Sequence, residues 1–538
     1  MTRRKSLPLL LCLLGCLLPR MVLATDYFIT LSGDDRAAGT SPGAAWRTIA
    51  RVNTGAFRPG DHILFQANQS FHGNLLLGQN SAGQTNAPVI ISSFGGGQAK
   101  LLAGRESGIT IESAGWVTIS NLTVLGDGST NNIGYGILFD NRLDGFQRLE
   151  HVGLENVEVS GFGIFGVLIS GKQAGFNHVR VVDCDLHDNL RGGMEIAGRL
   201  PWDSPLYAHT DVEVTRCRAH HNSGDPHYDK NHSGSGMVLY EVDGGLFEGC
   251  SAWANGQWCQ HANGGVGIWS CACRRVVIQH CESFGNRTSG GDGGGFDLDG
   301  GSIDCVLQYN YCHDNDGPGL MVYTYAYASH ADRGCIVRFN VSDDDSRRSR
   351  SYAGLWVRSD GNGITGLKVY NNTVRMGPWS NQAAYVDGNG VGAEFRNNIL
   401  IGCGGAAPLV AEHPQGKLQF VNNLYWAGDA PFKIQWGDQT YTNLAGWRQA
   451  TGQESSDGKV FGVIADPQLP GQSIQTPGGN GDWRERLAAY KPVRESAILN
   501  QGMAVGPEVS KAKGCSDILG GVLTVKRWPL GAVGVGSM

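Results

Sequence analysis

Two aspartates one residue apart, Asp297 and Asp299, lie in the stretch 290–301, which reads GGDGGGFDLDGG. The alternation Phe296, Asp297, Leu298, Asp299 has the period of a strand with one face buried and one in water. On this reading Phe296 and Leu298 point inward, and the two carboxylates stand ~6.6 Å apart on the outer face. Such a pair suits acid–base chemistry: one carboxyl protonates a leaving group while the other activates water. The separation falls at the low edge of the ~6.5–9.5 Å found in inverting glycosidases and above the ~5–5.5 Å of retaining ones. Hydrolysis is therefore the expected reaction, with the pKa of one carboxyl raised by its neighbour. Which of the two is acid and which is base is left open. Asp292, in the loop before the strand, is a third carboxylate. The competing reading of the pair is a solvated acidic face or a calcium site.

The elements that must position this pair emerge from self-comparison. Aligned motifs end at Asn121, Asn156, Cys184, Cys217, Cys250, Cys281, Asn310, Asn340, Asn372, Asn398 and Asn423, spaced 25 to 35 residues apart. Five residues past the aligned position a second series runs Asn189, Asn222, Asn255, Asn286, Asn315 and Asp345. A Gly-led strand follows in each repeat: GILFD (136–140), GVLIS (166–170), GMEIA (193–197), GMVLY (236–240), GVGIW (265–269), GFDLD (295–299), GLMVY (319–323) and GLWVR (354–358). Strands this short cannot bury a face alone, so the repeats must coil and stack ~4.8 Å apart into a parallel β-helix. Asn suits the bends because its amide donates and accepts along the stack. Cys takes the same place as a small buried hydrophobe.

Laid side by side, the outward positions form two columns. One holds Glu195 with Val238, Asp297, Met321 and Trp356; the other holds Tyr240, Trp269, Asp299, Tyr323 and Arg358. Aromatic rings and carboxylates on one face describe a sugar-binding groove, the rings stacking on apolar sugar faces. The loop 220–236 carries His220, His221, His227, His232, Asp225 and Asp229 and is the expected groove wall, with a metal site the weaker reading. The segment 321–330, with Tyr323, Tyr325, Tyr327 and His330, is the expected opposite wall.

At this point the chain resembles right-handed parallel β-helix proteins of the pectate-lyase-like superfamily, over almost everything after the N-terminus. The resemblance implies an all-β, single-stranded right-handed parallel β-helix, a solenoid of about 11 coils, with a short capping helix near 46–52 and an irregular C-terminal tail. It implies glycan binding along the Gly-led sheet. In pectate lyases of one such group, a related GF-x-L-GG strand carries a catalytic Lys where this chain has Asp297. A lyase also needs a cation for the uronate carboxylate, and here the sheet offers only Arg358. The departure favours a glycoside hydrolase with Asp297 and Asp299 as catalytic groups. Glu195, Tyr240, Trp269, Asp292, Tyr323, Trp356, Arg358, His232 and Tyr325 are the substrate-binding groups. A polysaccharide lyase or uronate epimerase is the second reading. A non-catalytic glycan-binding or surface β-helix is the third.

The ends and the charges add limits. Residues 1–24 read as a signal peptide: Arg3, Arg4 and Lys5, an apolar run at 7–18, and cleavage after Ala24. A lipoprotein signal ending at Cys16 is the rival. Both imply export: secreted, periplasmic or at the cell surface. Removing the signal takes four basic residues and no acid, so net charge moves from −6 to −10. That excludes nucleic acid as the expected partner. No later segment is long and apolar enough for a membrane span. The expected organisation is 25–115 as an N-terminal cap segment with the first coils, 116–425 as the β-helix core, and 426–538 as an irregular segment packed on it, with a helix near 444–452. The expected partner is a polysaccharide or oligosaccharide, the expected state a monomer. No cofactor is required. Asp343–Asp345 could hold Ca2+, or pair with Arg347, Arg348 and Arg350 as a salt-bridged turn. A disulfide among Cys259, Cys271 and Cys273 is expected, and Cys305 and Cys335 are expected to be stacked neighbours.

Overall fold

Each coil turns because single residues accept left-handed backbone. At the first bend these include Asn121, Asn156, Asp183, Arg216, Gly249, His280, Tyr309, Phe339, Asn371, Asn397 and Asn422, with φ between 51° and 64°. The following residue then points into the coil. At the second bend Asp188, His221, Ala254, Gly285, Asp314 and Asp344 do the same, ahead of Asn189, Asn222, Asn255, Asn286, Asn315 and Asp345. The computed structural model describes residues 24–201, 204–349, 351–378, 382–415, 417–469, 483–491, 501–503, 516–521, 523 and 528–533. The expected signal peptide, Cys16 included, lies outside the described residues, apart from Ala24.

The strands between bends form three parallel faces. A representative coil runs Arg274–Gln279, Glu282–Phe284 and Phe296–Leu298. Each strand pairs in parallel with its counterpart one coil on: Val277 with Val306, Glu282 with Tyr311, Phe296 with Leu320. The Gly-led strands form one 14-stranded sheet, parallel until its final hairpin, and the other strands join into a 27-stranded sheet. Inward side chains such as Val276, Ile278, Phe296 and Leu298 are fully buried. Burial of each contributes roughly 1.5–3 kcal/mol.

Two asparagine ladders run through the bends. Asn189, Asn222, Asn255, Asn286 and Asn315 each donate Nδ2 to the carboxamide or carboxylate oxygen one coil on, at 2.7–3.1 Å, ending on Asp345. Asn310, Asn340, Asn372, Asn398 and Asn423 form the second ladder, ending on Glu454. This explains the leading glycines. A Cβ on Gly295 would sit 3.1 Å from Asn315 Nδ2 and 2.8 Å from the Cys312 Cβ, and Gly236 faces Asn255 in the same way.

The stack departs from the expected alignment in its first coils. Val157, not Asn156, is level with Cys184, because Glu155 pairs with Val182 and Glu158 with Asp185. Asn121 and Asn156 are the left-handed bend residues themselves; Asn156 Nδ2 donates to Asn121 Oδ1 at the surface, 2.8 Å.

Both ends are closed by helices. Ile49–Asn53, capped by Thr48 Oγ1, buries Ile49 and Val52. At the other end Leu444–Thr451 is capped by Asn443 and terminated by Gly452 at φ 72°. Its Trp447 is fully buried among Phe420, Tyr425 and Trp436. Strand edges that would otherwise invite pairing are covered. Parts of the C-terminal segment lie along the stack: Leu487, Tyr490, Ile518 and Trp528 pack on Tyr309, Tyr311, Phe339 and Tyr370. No helix among the described residues is long and apolar enough to cross a membrane.

Candidate active site

The strand Phe296–Leu298 places Asp297 on the outer face of the Gly-led sheet, between Trp269 and Met321 of the adjacent coils. Asp299 follows just past the strand, fixed by its amide donating to Ser270 O at 2.8 Å. The outward face is not a wet one. Asp297 is 2% exposed, and both aspartates carry a buried Oδ1 without a protein partner. A solvated acidic face is therefore not what the structure shows.

Burial arises from two roofs above the strand, which alternation along the strand cannot reveal. Lys230, Asn231 and His232 come from the loop before the strand Ser235–Tyr240. Tyr323, Tyr325 and Tyr327 come from the end of the strand Leu320–Tyr325 and just beyond it. Between them lies a cavity of about 420 Å³ whose lining includes Asp292, Asp297 and Asp299. Asp292, at φ 49°, faces it from the preceding loop. Its carboxylate accepts from Tyr352 Oη at 3.1 Å and from the Gly264 amide at 3.0 Å.

One wall is a packed aromatic cluster. His232 lies across Trp269 and Tyr240, with ring centroids at 4.8 and 5.8 Å. Its Nε2 is 3.4 Å from Glu195 Oε2, and its Nδ1 is 3.1 Å from Ser235 Oγ. Trp269 donates Nε1 to the same Ser235 hydroxyl, 3.1 Å. Glu195 thus acts behind His232 rather than among the lining residues. The register differs from the expected column: Trp269 shares the row of Val238 and Asp297, and Cys271 is the residue level with Tyr240. The strand is led by Gly267, not Gly265, because Gly267 is the one lying against the ladder residue Asn286.

A second compartment of about 590 Å³ continues along the stack, sharing Asn263, Asp292, Tyr323 and Asp360 with the first. It holds Trp356 and Arg358, with Tyr352, Tyr385 and Glu412. Tyr323 donates to Asp360 at 2.8 Å, and Arg358 pairs with the same carboxylate at 2.6 Å. Arg358 is thereby engaged. Trp356 and Tyr385 are stacked on one another with ring centroids 5.9 Å apart, so each turns a face to the other. This differs from the expected sugar-stacking platform.

Several expected groups lie elsewhere. His220 stacks between His187 and Trp253 on a different face. His330 lines a separate small crevice with Leu206 and Glu241. The carboxylates of Asp343, Asp344 and Asp345 diverge: Asp343 pairs with Arg375, Asp344 with Arg347, and Asp345 ends the first ladder. Of the three arginines expected to bridge this turn, Arg347 does so; Arg348 donates to the Ser289 and Gly290 carbonyls, and Arg350 lies outside the described residues. Cys259, Cys271 and Cys273 are buried free thiols, as are the neighbours Cys305 and Cys335, so the expected disulfide is not formed. Cys271 Sγ instead meets Tyr325 Oη at 3.0 Å. Lys230, Asn231, Asn263, Tyr352, Asp360 and Tyr385 were not singled out from the sequence. The loop residues carry no periodic signal, and the others sit on coils further along.

The electrostatics separate the three carboxyl groups. Desolvation raises all of them. Asp292 is raised to about 6, held there by the Tyr352 and Gly264 donors. Asp299 is raised to about 7 by burial, with Asp292 adding to it. Asp297 is pushed well above the usual range, by burial first and then by Asp299, Asp292 and Asp332. The folded protein therefore holds protons here that the unfolded chain would release. Stability from these groups is full below pH 4 and falls as pH rises through 6 and 7. Asp299→Asn is expected to raise the melting temperature by several degrees at pH 8 and by nothing near pH 4. An equal shift at both values, read by scanning calorimetry, would contradict the raised carboxyl group.

Coils, ladders and groove together define a right-handed parallel β-helix. The family model described as the right handed beta helix region matches residues 147–374. Among curated proteins the chain is similar to the lacto-N-biosidase of Bifidobacterium longum subsp. longum, at 22% identity over 589 residues. That match covers 89% of this chain and 34% of the relative, so the chain spans about a third of the length of the curated relative it matches. Among solved structures, the GH136 lacto-N-biosidase from Eubacterium ramulus superposes with a TM-score of 0.50 at 16% identity, over 74% of this chain and 67% of that one. The A-module of the Azotobacter vinelandii mannuronan C-5 epimerase AlgE6 gives 0.50 at 14% identity, over 76% and 92%. Both show the fold; one is a hydrolase and the other an epimerase, so the fold does not select the reaction.

Proposed function

We propose that this chain is an exported glycoside hydrolase, acting as a monomer on an oligosaccharide or polysaccharide, with its chemistry in the cluster Asp292, Asp297 and Asp299. The observation that carries the reading is the enclosure of three carboxyl groups with separated proton affinities in one cavity. Near neutral pH Asp292 is ionised, Asp299 is poised to release its proton, and Asp297 stays neutral beside it. In the step, Asp299 Oδ–H protonates the glycosidic oxygen as the bond from the anomeric carbon breaks. Asp292 takes a proton from the water that attacks that carbon. This is the acid and base division that hydrolysis requires. The likeness to lacto-N-biosidases supports the reaction class and suggests a lacto-N-biose glycoside as a first substrate.

The rate is expected to be bell-shaped in pH, falling below about 6 as Asp292 protonates and above about 7 as Asp299 loses its proton. The reading calls for no cofactor, so a chelator should leave the rate unchanged. The test is a product assay on neutral glycosides and on uronate polysaccharides, scoring new reducing ends and unsaturated sugars separately. Reducing ends without unsaturation support the hydrolase. Unsaturated products would move the chain to the lyases, for which Lys230 among the cavity's lining residues is the candidate cation.

A further inference from the structure

We propose that the second compartment is a built binding site for further sugar units of an uncharged glycan. The chain would lie along the stack, its cleaved bond at the carboxylate cluster and its continuation over Trp356, Tyr385 and Gln435. The inference rests on the hydrolase reading and adds the class and length of the substrate.

Three observations carry it. First, the compartment is continuous with the carboxylate cavity through Asp292, Tyr323 and Asp360. From Asp297 the register runs Met321, Trp356, Tyr385, Val410, Gln435, one coil at a time. Five coil steps make a groove ~24 Å long, enough for several sugar units in line.

Second, the floor offers polar groups of fixed direction. Gln435 stands exposed at its strand position, and the Tyr385 hydroxyl donates to Glu412 at 2.7 Å and so orients that carboxylate. Trp356 lies beneath them, 6% exposed and with its Nε1 buried.

Third, the charge excludes an anionic chain. Across both compartments Lys230 and Arg358 are the cations, against the carboxylates Asp292, Asp360 and Glu412, while Asp297 and Asp299 hold their protons and add no positive charge. Arg358 is engaged by Asp360. A uronate polymer would lay successive carboxylates along this acidic floor without a partner, at a desolvation penalty. Neutral pyranosides present hydroxyl groups, for which carboxylates, Gln382 and Gln435 are acceptors and donors.

The test uses the full chain carrying Asp299→Asn, so that binding is read without turnover. Calorimetric titration with neutral oligosaccharides of the lacto-N, gluco and manno series, from two to six units, is compared with oligouronates of the same lengths. Affinity in at least one neutral series is expected to rise tenfold or more with length, and oligouronates to bind more weakly at every length. Adding Gln435→Ala, at an exposed strand position where the fold tolerates the change, should lower the ratio of long-chain to short-chain affinity severalfold. Affinity independent of length, or preference for oligouronates, overturns the proposal, as does silence from every neutral series. Length-dependent binding without any cleavage by the wild-type chain would instead remove the hydrolase reading and leave the compartment standing.

Discussion

Asp299→Asn is expected to lower turnover by about a thousandfold, within the ~10²–10⁴ that a positioned general acid contributes, while leaving KM nearly unchanged. The amide keeps the shape of the carboxyl and still accepts hydrogen bonds, but it cannot release a proton to a leaving oxygen. Asp299 is the member of the cluster raised to about 7, so its proton is both present and transferable at neutral pH. Asp292→Asn should cost a similar factor, because it removes the ionised partner that Tyr352 and Gly264 hold in place. Asp297→Asn should cost much less. Asp297 is neutral in its 2%-exposed position, and a neutral amide is a close substitute. Steady-state kinetics on all three variants checks the assignment. Should Asp297→Asn abolish turnover and Asp299→Asn spare it, the two roles are reversed. Should all three remain active, the chemistry lies elsewhere in the molecule.

The second large effect is on stability. Asn286→Ala is expected to destabilise the protein by about 2–6 kcal/mol, since it strands two buried donors at ~1–3 kcal/mol each. Asn286 Oδ1 accepts from Asn255 N at 3.3 Å and from Asn255 Nδ2 at 3.0 Å. Its own Nδ2 donates to Asn315 Oδ1 at 2.9 Å and Ser283 Oγ at 3.0 Å. None of these groups is exposed enough for water to replace the lost partner. A typical domain holds only ~5–15 kcal/mol in total. In a stack where each coil contacts its neighbours, the damage should begin locally. Urea unfolding followed by tryptophan fluorescence would show a lower midpoint and a broader transition. A loss below about 1 kcal/mol would mean that the ladder does not hold the stack together.

The coiled architecture was legible because both ladders leave a repeated Asn or Cys at nearly constant offset. What blurred the first two repeats was chemical ambiguity. Asn serves equally as the inward ladder residue and as the left-handed bend residue, so Asn121 and Asn156 mimic the ladder while sitting one place before it. The register at GVGIW failed for a related reason. Gly265 and Gly267 are equivalent in sequence, and only contact with the neighbouring ladder shows which one leads the strand. The carboxylate pair was visible from alternation, but its burial was not. Period two tells which side of a sheet a residue faces, not what lies above it. Lys230 and Asn231 come from before one strand, Tyr327 from after another, and their meeting over Asp297 depends on stacking distance rather than sequence distance.

The ladders also have a direction. Every ladder carboxamide passes one of its hydrogens toward the C-terminal coil, and the last acceptor in each line is an acid, Asp345 in one and Glu454 in the other. Each closes its line as an acceptor, and burial raises both carboxyl groups, that of Asp345 to about 7. An internal coil could therefore be duplicated and its copy would slot in, each amide meeting the next. The two stops lie at different places: Asp345 closes its line with the coils of Asn372, Asn398 and Asn423 still to follow, whereas Glu454 closes the other at the C-terminal cap. Lengthening by gene duplication is thus open to coils ahead of each stop, whereas a duplicated stop would set two acids in contact that must share a proton.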